Sequence, residues 1–132
     1  MKGVIVFDLE GPLSPMDLAF ELMGLREGGD KVFAVISRYD DLLTLEGKAG
    51  YEPGDTLWLI VPFLIYWRIT EREILEVSQR ATLVDGSKEL IEVLRKEGWE
   101  VYIVSTSYEQ HARAIARRLG IREKFWFSGK NV

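Results

Sequence analysis

The segment Val4-Ile5-Val6-Phe7-Asp8-Leu9-Glu10-Gly11-Pro12-Leu13 delivers two carboxylates, two residues apart, at the end of an apolar run. One carboxylate can bind a cation or attack an electrophile while its neighbour handles protons. Gly11 lets the backbone turn sharply beside a ligand, and Pro12 stops the strand. An acidic residue after a strand also serves as a helix N-cap or turn former, and this segment alone leaves the two readings level. A second strand end shifts the balance. The apolar run Val101 to Val104 ends in Ser105-Thr106-Ser107 at the start of a helical pattern. Hydroxyls and unpaired amides at a helix N-terminus make a ready phosphate site, although capping alone accounts for them when they are taken singly. Taken together, two strand ends present carboxylates and a phosphate cradle on one edge, where open parallel sheets bind their ligands.

The elements that must hold these groups follow from periodicity. Val4 to Phe7 and Val101 to Val104 are β-branched runs that read as buried strands, and Phe125 to Phe127 is a candidate third. Ser87 to Glu97 reads as a helix with Leu90, Ile91 and Leu94 inward and Gly98 closing it. Ser107 and Gln110 have capping-box spacing, Ala112, Ile115, Ala116 and Leu119 form an inward stripe, and Gly120 falls where a C-terminal cap belongs. Arg113, Arg117, Arg118 and Arg122 fall off that stripe and read as a solvated face. Helix, strand, helix and strand with short connections predict an α/β fold, a parallel sheet covered by helices.

The middle of the chain differs, with several helix patterns and no convincing strand. Ser14 and Pro15 fit N-cap and N1 of a helix with the stripe Met16, Ala19, Phe20 and Met23. Val32, Val35, Ile36, Tyr39 and Leu43 form a second stripe, and Thr70 with Glu73 make a capping box for a helix running to Gln79. Gly47 to Asp55 reads as a loop. About 70 mainly helical residues therefore form an insertion between the first strand and the rest of the sheet.

Composition removes whole classes of function. The net charge is −4, and residues 1–84 carry 8 basic and 14 acidic groups. That is no footprint for nucleic acid. With no cysteine and one histidine, His111, thiolate zinc sites, cysteine nucleophiles and multi-histidine metal sites are excluded. His111 itself reads as a solvated or capping residue. The longest apolar run, Leu57 to Trp67, spans 11 residues against the roughly 20 needed to cross a bilayer, so no membrane span is expected. The opening MKGVIVFD is too short for a signal peptide and predicts a cytoplasmic chain. Asn and Gln number three together beside abundant Glu, Lys and Arg, the usage of thermophile proteins.

The motifs resemble those of the haloacid dehalogenase (HAD) superfamily, the aspartate-nucleophile phosphatases. Its first motif, an apolar strand followed by Asp-x-Asp-Gly-x-Leu, is matched by Asp8-Leu9-Glu10-Gly11-Pro12-Leu13, with Glu in place of the second Asp. Its second, a strand ending in Ser or Thr, falls on Ser105, and Val84 to Gly98 looks like the helix leading into that strand. The resemblance implies a Rossmann-like three-layer core around a parallel sheet, formed by residues 1–13 and 84–132, with residues 14–83 as a helical cap insertion like that of the phosphoserine-phosphatase-like branch. It further implies that Asp8 attacks phosphorus to form an aspartyl phosphate, and that Glu10 protonates the leaving oxygen and then activates water. Mg2+ would be held by the Asp8 carboxylate and the Glu10 carbonyl. Ser105, the Thr106 amide and Gly11 would bind phosphate.

Two motifs of the family are not matched. For the lysine of the third, Lys130 and Lys124 are the candidates, although Ser128-Gly129-Lys130 also resembles a hairpin that precedes it. The acidic fourth motif is absent, since Glu123 is the one acidic residue after Leu119. The strand carrying that motif would lie beside the first, so a homodimer or a missing C-terminal segment is expected to cover the first strand's edge. The expected activity is a Mg2+-dependent phosphatase on a small phosphorylated metabolite. The rivals are a phosphotransferase using the same intermediate and a catalytically silent HAD-like fragment or binding module. Arg38, Tyr66 and Arg68 are cap residues that could select substrate.

Overall fold

The computed structural model describes residues 2–47 and 56–130 and divides the chain into two compact units, Met1–Met16 with Ile74–Val132, and Asp17–Glu73. The division falls at 16/17 and 73/74 instead of the expected 13/14 and 83/84. Bonds tie Ser78 to the core, with His111 Nδ1 at 2.8 Å from Ser78 Oγ and Arg118 donating to Ser78 O at 3.3 Å; nearby, Ser14 Oγ donates to Thr82 O at 2.7 Å and Val84 N–H to Leu13 O at 2.8 Å.

In the first unit, β1 (Gly3–Phe7), β2 (Trp99–Tyr108) and β3 (Trp126–Lys130) form one parallel sheet in the order β1-β2-β3, which confirms the α/β class. Gly3 pairs with Trp99 and Phe7 with Ile103, while Ile103 pairs with Trp126. Side chains alternate across a strand, so Val101 and Ile103 point to one face and Tyr102 and Val104 to the other. On the first face lie α6 (Ser87–Lys96) and α7 (Glu109–Arg118), whose Ile91, Ala112, Ile115 and Ala116 bury against Leu9, Val101, Ile103 and Trp126. Each fully buried Leu or Ile there contributes about 1.5–3 kcal/mol of hydrophobic stabilisation. Among the described residues no helix covers the second face: Val4, Val6, Val104 and Phe127 are between 50% and 57% exposed, and Tyr102 stacks on Phe127 with ring centroids 6.4 Å apart.

Several local readings need correction. Leu90 is exposed, because Ile91 and Leu94 alone suffice to seat α6. β2 continues past Ser105 to Tyr108, pairing with β3, so the Ser107 and Gln110 capping box does not form; the backbone that would have capped a helix is extended. Ser128 and Gly129 accordingly lie inside β3 and not in a hairpin. Arg118 is not on a solvated face. Its guanidinium donates to Ser78 O at 3.3 Å and to Ala81 O, at the C-terminal end of α5 (Glu71–Arg80), where helix carbonyls lack partners and favour a cation. Gly120 behaves as expected, at φ 74°, with Ile121 N–H donating to Ala116 O at 2.8 Å to close α7.

The helical unit holds α1 (Leu18–Met23), α2 (Gly29–Glu46), α3 (Thr56–Leu59), α4 (Val61–Tyr66) and the start of α5. α1 begins later than Ser14 and Pro15 suggest, because Asp17 Oδ1 accepts from Phe20 N–H and takes the N-cap role. Phe20 is exposed, while Leu18 and Leu22 are buried with Ala19 and Met23. On α2 only Ile36 and Leu43 of the expected stripe are buried; Val35 and Tyr39 face solvent. Most of the expected loop from Gly47 to Asp55 lies outside the described residues. The Thr70 and Glu73 capping box forms in both directions, at 2.9 and 3.2 Å. Arg26 adds an ion pair to Glu73 at 3.0 Å and a bond to Trp67 O at 3.2 Å. The Thr70 N–H foremost, and then Arg26, hold the Glu73 carboxyl below its usual value.

Gly29 is required by close approach. A Cβ there would overlap the Met23 carbonyl oxygen and meet its carbon at 2.7 Å. Gly29→Ala is expected to destabilise the protein by about 2 kcal/mol, measured by denaturant unfolding with far-UV circular dichroism. An unchanged midpoint would show that this backbone gives way freely.

Candidate active site

β1 ends at Phe7, opposite Ile103 of β2. Asp8 is therefore one residue beyond the pair and Ser105 two residues beyond it, at the C-terminal ends of adjacent parallel strands. With strands about 4.8 Å apart and a rise of about 3.3 Å per residue, their Cα atoms are roughly 6 Å apart. One phosphoryl group is of the size to bridge two side chains at that spacing. Thr106 follows on the same strand, exposed beside the buried Ser105.

The loop after β1 is fastened to itself. Leu13 and Ser14 N–H both donate to Leu9 O at 3.1 Å, and Gly11 N–H donates to Ser14 O at 2.8 Å. The last two of these bonds bridge Glu10 and Ser14 without using the Glu10 carbonyl. Gly11 makes the turn at φ 106°, a conformation open to glycine. Asp8 is exposed, and its Oδ1 accepts from Leu9 N–H at 2.7 Å, which orients the carboxylate. Glu10 is half-buried, with Oε1 out of reach of solvent.

Ser105 Oγ accepts from Ser107 N–H at 3.0 Å. That bond occupies a lone pair and points the hydroxyl's proton elsewhere, ready to donate to an anion. Ser128 Oγ donates to Ser107 O, tying β3 to the same strand end. The Ser107 hydroxyl is buried without a hydrogen-bond partner. α7 begins directly after, with Tyr108 at its N-cap and no side-chain cap, so its first amides face outward from the helix end.

The lysine candidates separate. Lys130 lies at the C-terminal end of β3, level with Tyr108, whereas Lys124 sits in the 3-10 turn Glu123–Phe125 before β3 begins, below the sheet's C-terminal edge. Arg38, Tyr66 and Arg68 all belong to the helical unit and are exposed.

His111 is the largest departure from expectation. It is neither solvated nor capping but 0% exposed, with Nδ1 at 2.8 Å from Ser78 Oγ. Ser78 Oγ donates to Ile74 O at 2.9 Å, so the imidazole is the donor and Nε2 is the bare nitrogen, buried with no partner. Burial first, and then the Arg118 charge, lower the imidazole pKa to about 4. The signal was present in the sequence: His111 stands four residues before Ile115, in step with the inward stripe.

A model of the haloacid dehalogenase-like hydrolase family matches residues 3–130. The chain belongs to that family. An Archaeoglobus fulgidus gene product of solved structure is 31% identical and superimposes with a TM-score of 0.87, over 98% of this chain and 41% of its own. A HAD family hydrolase from Salmonella enterica serovar Typhi is 18% identical with a TM-score of 0.71, over 98% of this chain and 40% of its own. A phosphoserine phosphatase, solved as a phospho-aspartyl intermediate analogue, is 21% identical with a TM-score of 0.67, over 95% and 55%. The chain thus spans about two-fifths of the first two structures and about half of the third. No curated protein matches it. Among the described residues no helix is long and apolar enough to cross a membrane.

The HAD family implies Mg2+, and the donor set is compatible with it. Asp8 and Glu10 offer hard oxygen ligands two residues apart, which suits a cation that keeps several waters. Among the described residues no third acidic or histidine ligand joins them.

Proposed function

We propose that this HAD chain hydrolyses a small phosphomonoester, with Asp8 as nucleophile and Glu10 as the proton-transfer group. The observation that carries the reading is the register that puts Asp8 and Ser105 on the same edge of adjacent strands. Asp8 attacks phosphorus, the P–O bond to the leaving alcohol breaks, and Glu10 gives that oxygen its proton. Water, losing its proton to Glu10, then attacks the aspartyl phosphate and releases phosphate and free Asp8. Ser105 and the Thr106 amide donate to the phosphoryl oxygens, and Gly11 gives them room. Mg2+, bound by the Asp8 carboxylate and the Glu10 carbonyl, would offset the repulsion between Asp8 and the phosphate dianion. Transfer of the phosphoryl group to an added alcohol is the rival outcome, read from the products.

The test is hydrolysis of p-nitrophenyl phosphate with Mg2+. Absence of turnover there and on alkyl phosphates supports the silent-module reading instead. Glu10→Gln separates the two proton roles. On alkyl phosphates its kcat is expected to fall about 100-fold or more, whereas a p-nitrophenolate leaving group needs no acid and the loss in the first step is smaller. Equal losses on both substrates, together with equal rates of aspartyl-phosphate formation, would remove Glu10 from the acid role.

A further inference from the structure

We propose that His111 is a positioning residue for the phosphate site: through Ser78 of α5 it holds the first turn of α7, and so the strand end before it, without a capping side chain over the helix terminus. β2 runs into α7 with no loop between them, Tyr108 ending the one and Glu109 beginning the other. Whatever shifts the first turn of α7 therefore shifts the strand end that carries Ser105 and Thr106. On the strand side this joint is fastened, because Ser107 N–H donates to Ser105 Oγ and Ser128 Oγ donates to Ser107 O. On the helix side a capping side chain would ordinarily do the fastening, but it would also occupy amides that an anion needs. Tyr108, at the N-cap, makes no such bond.

His111 fastens the turn from its third position instead. Its Nδ1 lies 2.8 Å from Ser78 Oγ and its Nε2 has no partner, so the ring is hydrogen-bonded to α5 alone. Both residues are 0% exposed within this chain, and nothing packed on the outside of the protein reaches that bond. Burial first, and then the Arg118 charge, keep the imidazole neutral near pH 7, with a single N–H to give. Two turns further along, Arg118 donates to Ser78 O, so α7 is tied to the same residue of α5 from both ends. Apolar packing of Ala112, Ile115 and Ala116 presses the helix onto the sheet but is non-directional and tolerates sliding; the hydrogen bond does not. This role rests on the phosphatase reading for the identity of the anion.

His111→Leu removes the tether without orphaning another group, since Ser78 Oγ still donates to Ile74 O. Titration calorimetry with inorganic phosphate and Mg2+ is expected to show binding weakened about tenfold, the worth of one charge-assisted hydrogen bond. KM for p-nitrophenyl phosphate rises with it while kcat changes less. His111→Gln, which can give an N–H to Ser78, restores the affinity. Wild-type affinity in both variants, whatever their melting temperatures, overturns the role, and so does a Gln variant as weak as the Leu one.

The unaltered protein supplies a second measurement. His111 is the chain's one histidine, so its ring signals in two-bond proton–nitrogen NMR spectra are unambiguous. The proton is expected on Nδ1, and phosphate with Mg2+ is expected to move the signals. A proton on Nε2, or signals that ignore phosphate, overturns the role without any variant. Phosphate binding with no turnover of any ester overturns the hydrolysis and leaves the positioning role standing, whereas a wild type that binds no phosphate overturns both.

Discussion

Asp8→Asn is expected to lower phosphate-ester hydrolysis at least about 1,000-fold while leaving the fold untouched. The carboxylate supplies the attacking electron pair, and a neutral amide at the same place does not; losses of that order follow removal of a nucleophile. Structurally the exchange is mild. Asp8 is exposed, and the bond it accepts from Leu9 N–H at 2.7 Å is one that the Asn carbonyl oxygen can also accept. The melting temperature should therefore stay within a few degrees, and the comparison of melting with turnover separates chemistry from stability. Retention of full activity by Asp8→Asn would end the assignment of Asp8 as nucleophile.

Acidification should destabilise the protein by about 3 kcal/mol between pH 7 and pH 4 through His111 alone. The unfolded chain takes up this proton near 6.5, whereas in the folded protein the buried imidazole does so only near 4. The lowered folded value makes the contribution complete above 6.5 and progressively lost as pH falls toward 4. Arg118 reinforces it, since a charged imidazole would sit beside a guanidinium already tied to the carbonyls of Ser78 and Ala81. His111→Gln can keep a donor toward Ser78 and has no proton to gain. The difference between the two stability curves, followed by urea unfolding across this pH range, isolates the histidine from the carboxylates that titrate nearby. Parallel curves would mean that His111 takes up its proton at the same pH in the folded protein as in the unfolded chain.

The chemistry-bearing strand ends were legible because they are short-range signals: a β-branched run, then a change to acid, glycine and proline, or to hydroxyls. Parallel pairing then follows from the helix between the strands, and the register does the rest by setting Phe7 against Ile103. The stripe on α7 and the Thr70 and Glu73 box were equally local, and both are present. Errors arose where local chemistry met a long-range competitor. Ser14 has the composition of an N-cap, yet it bonds Thr82, 68 residues away, and Asp17 caps the helix instead. Ser107 likewise had cap spacing with Gln110, but pairing with β3 keeps that backbone extended. Arg118 looked like surface charge because nothing local announces the carbonyls at the end of α5. The compact units divide at other positions than the motif spacing suggests, since Ser14 and the last turns of α5 are held by bonds made far along the chain.

The pairing of Gly3 with Trp99 also governs the order in which the protein is made. Within this sheet β1 is synthesised before its partner, and the neighbour it pairs with among the described residues is nearly a hundred residues behind. At about 5–20 residues per second, that separation keeps an apolar pentapeptide waiting for roughly 5–20 seconds. The helices of the insertion and the β2–α7–β3 stretch join residues near one another in sequence and can assemble within that time, while closing the long loop carries the entropic penalty. Docking of β1 is accordingly the late step of folding, and slower translation of the segment before Trp99 should raise the demand for chaperones that shield extended apolar chain.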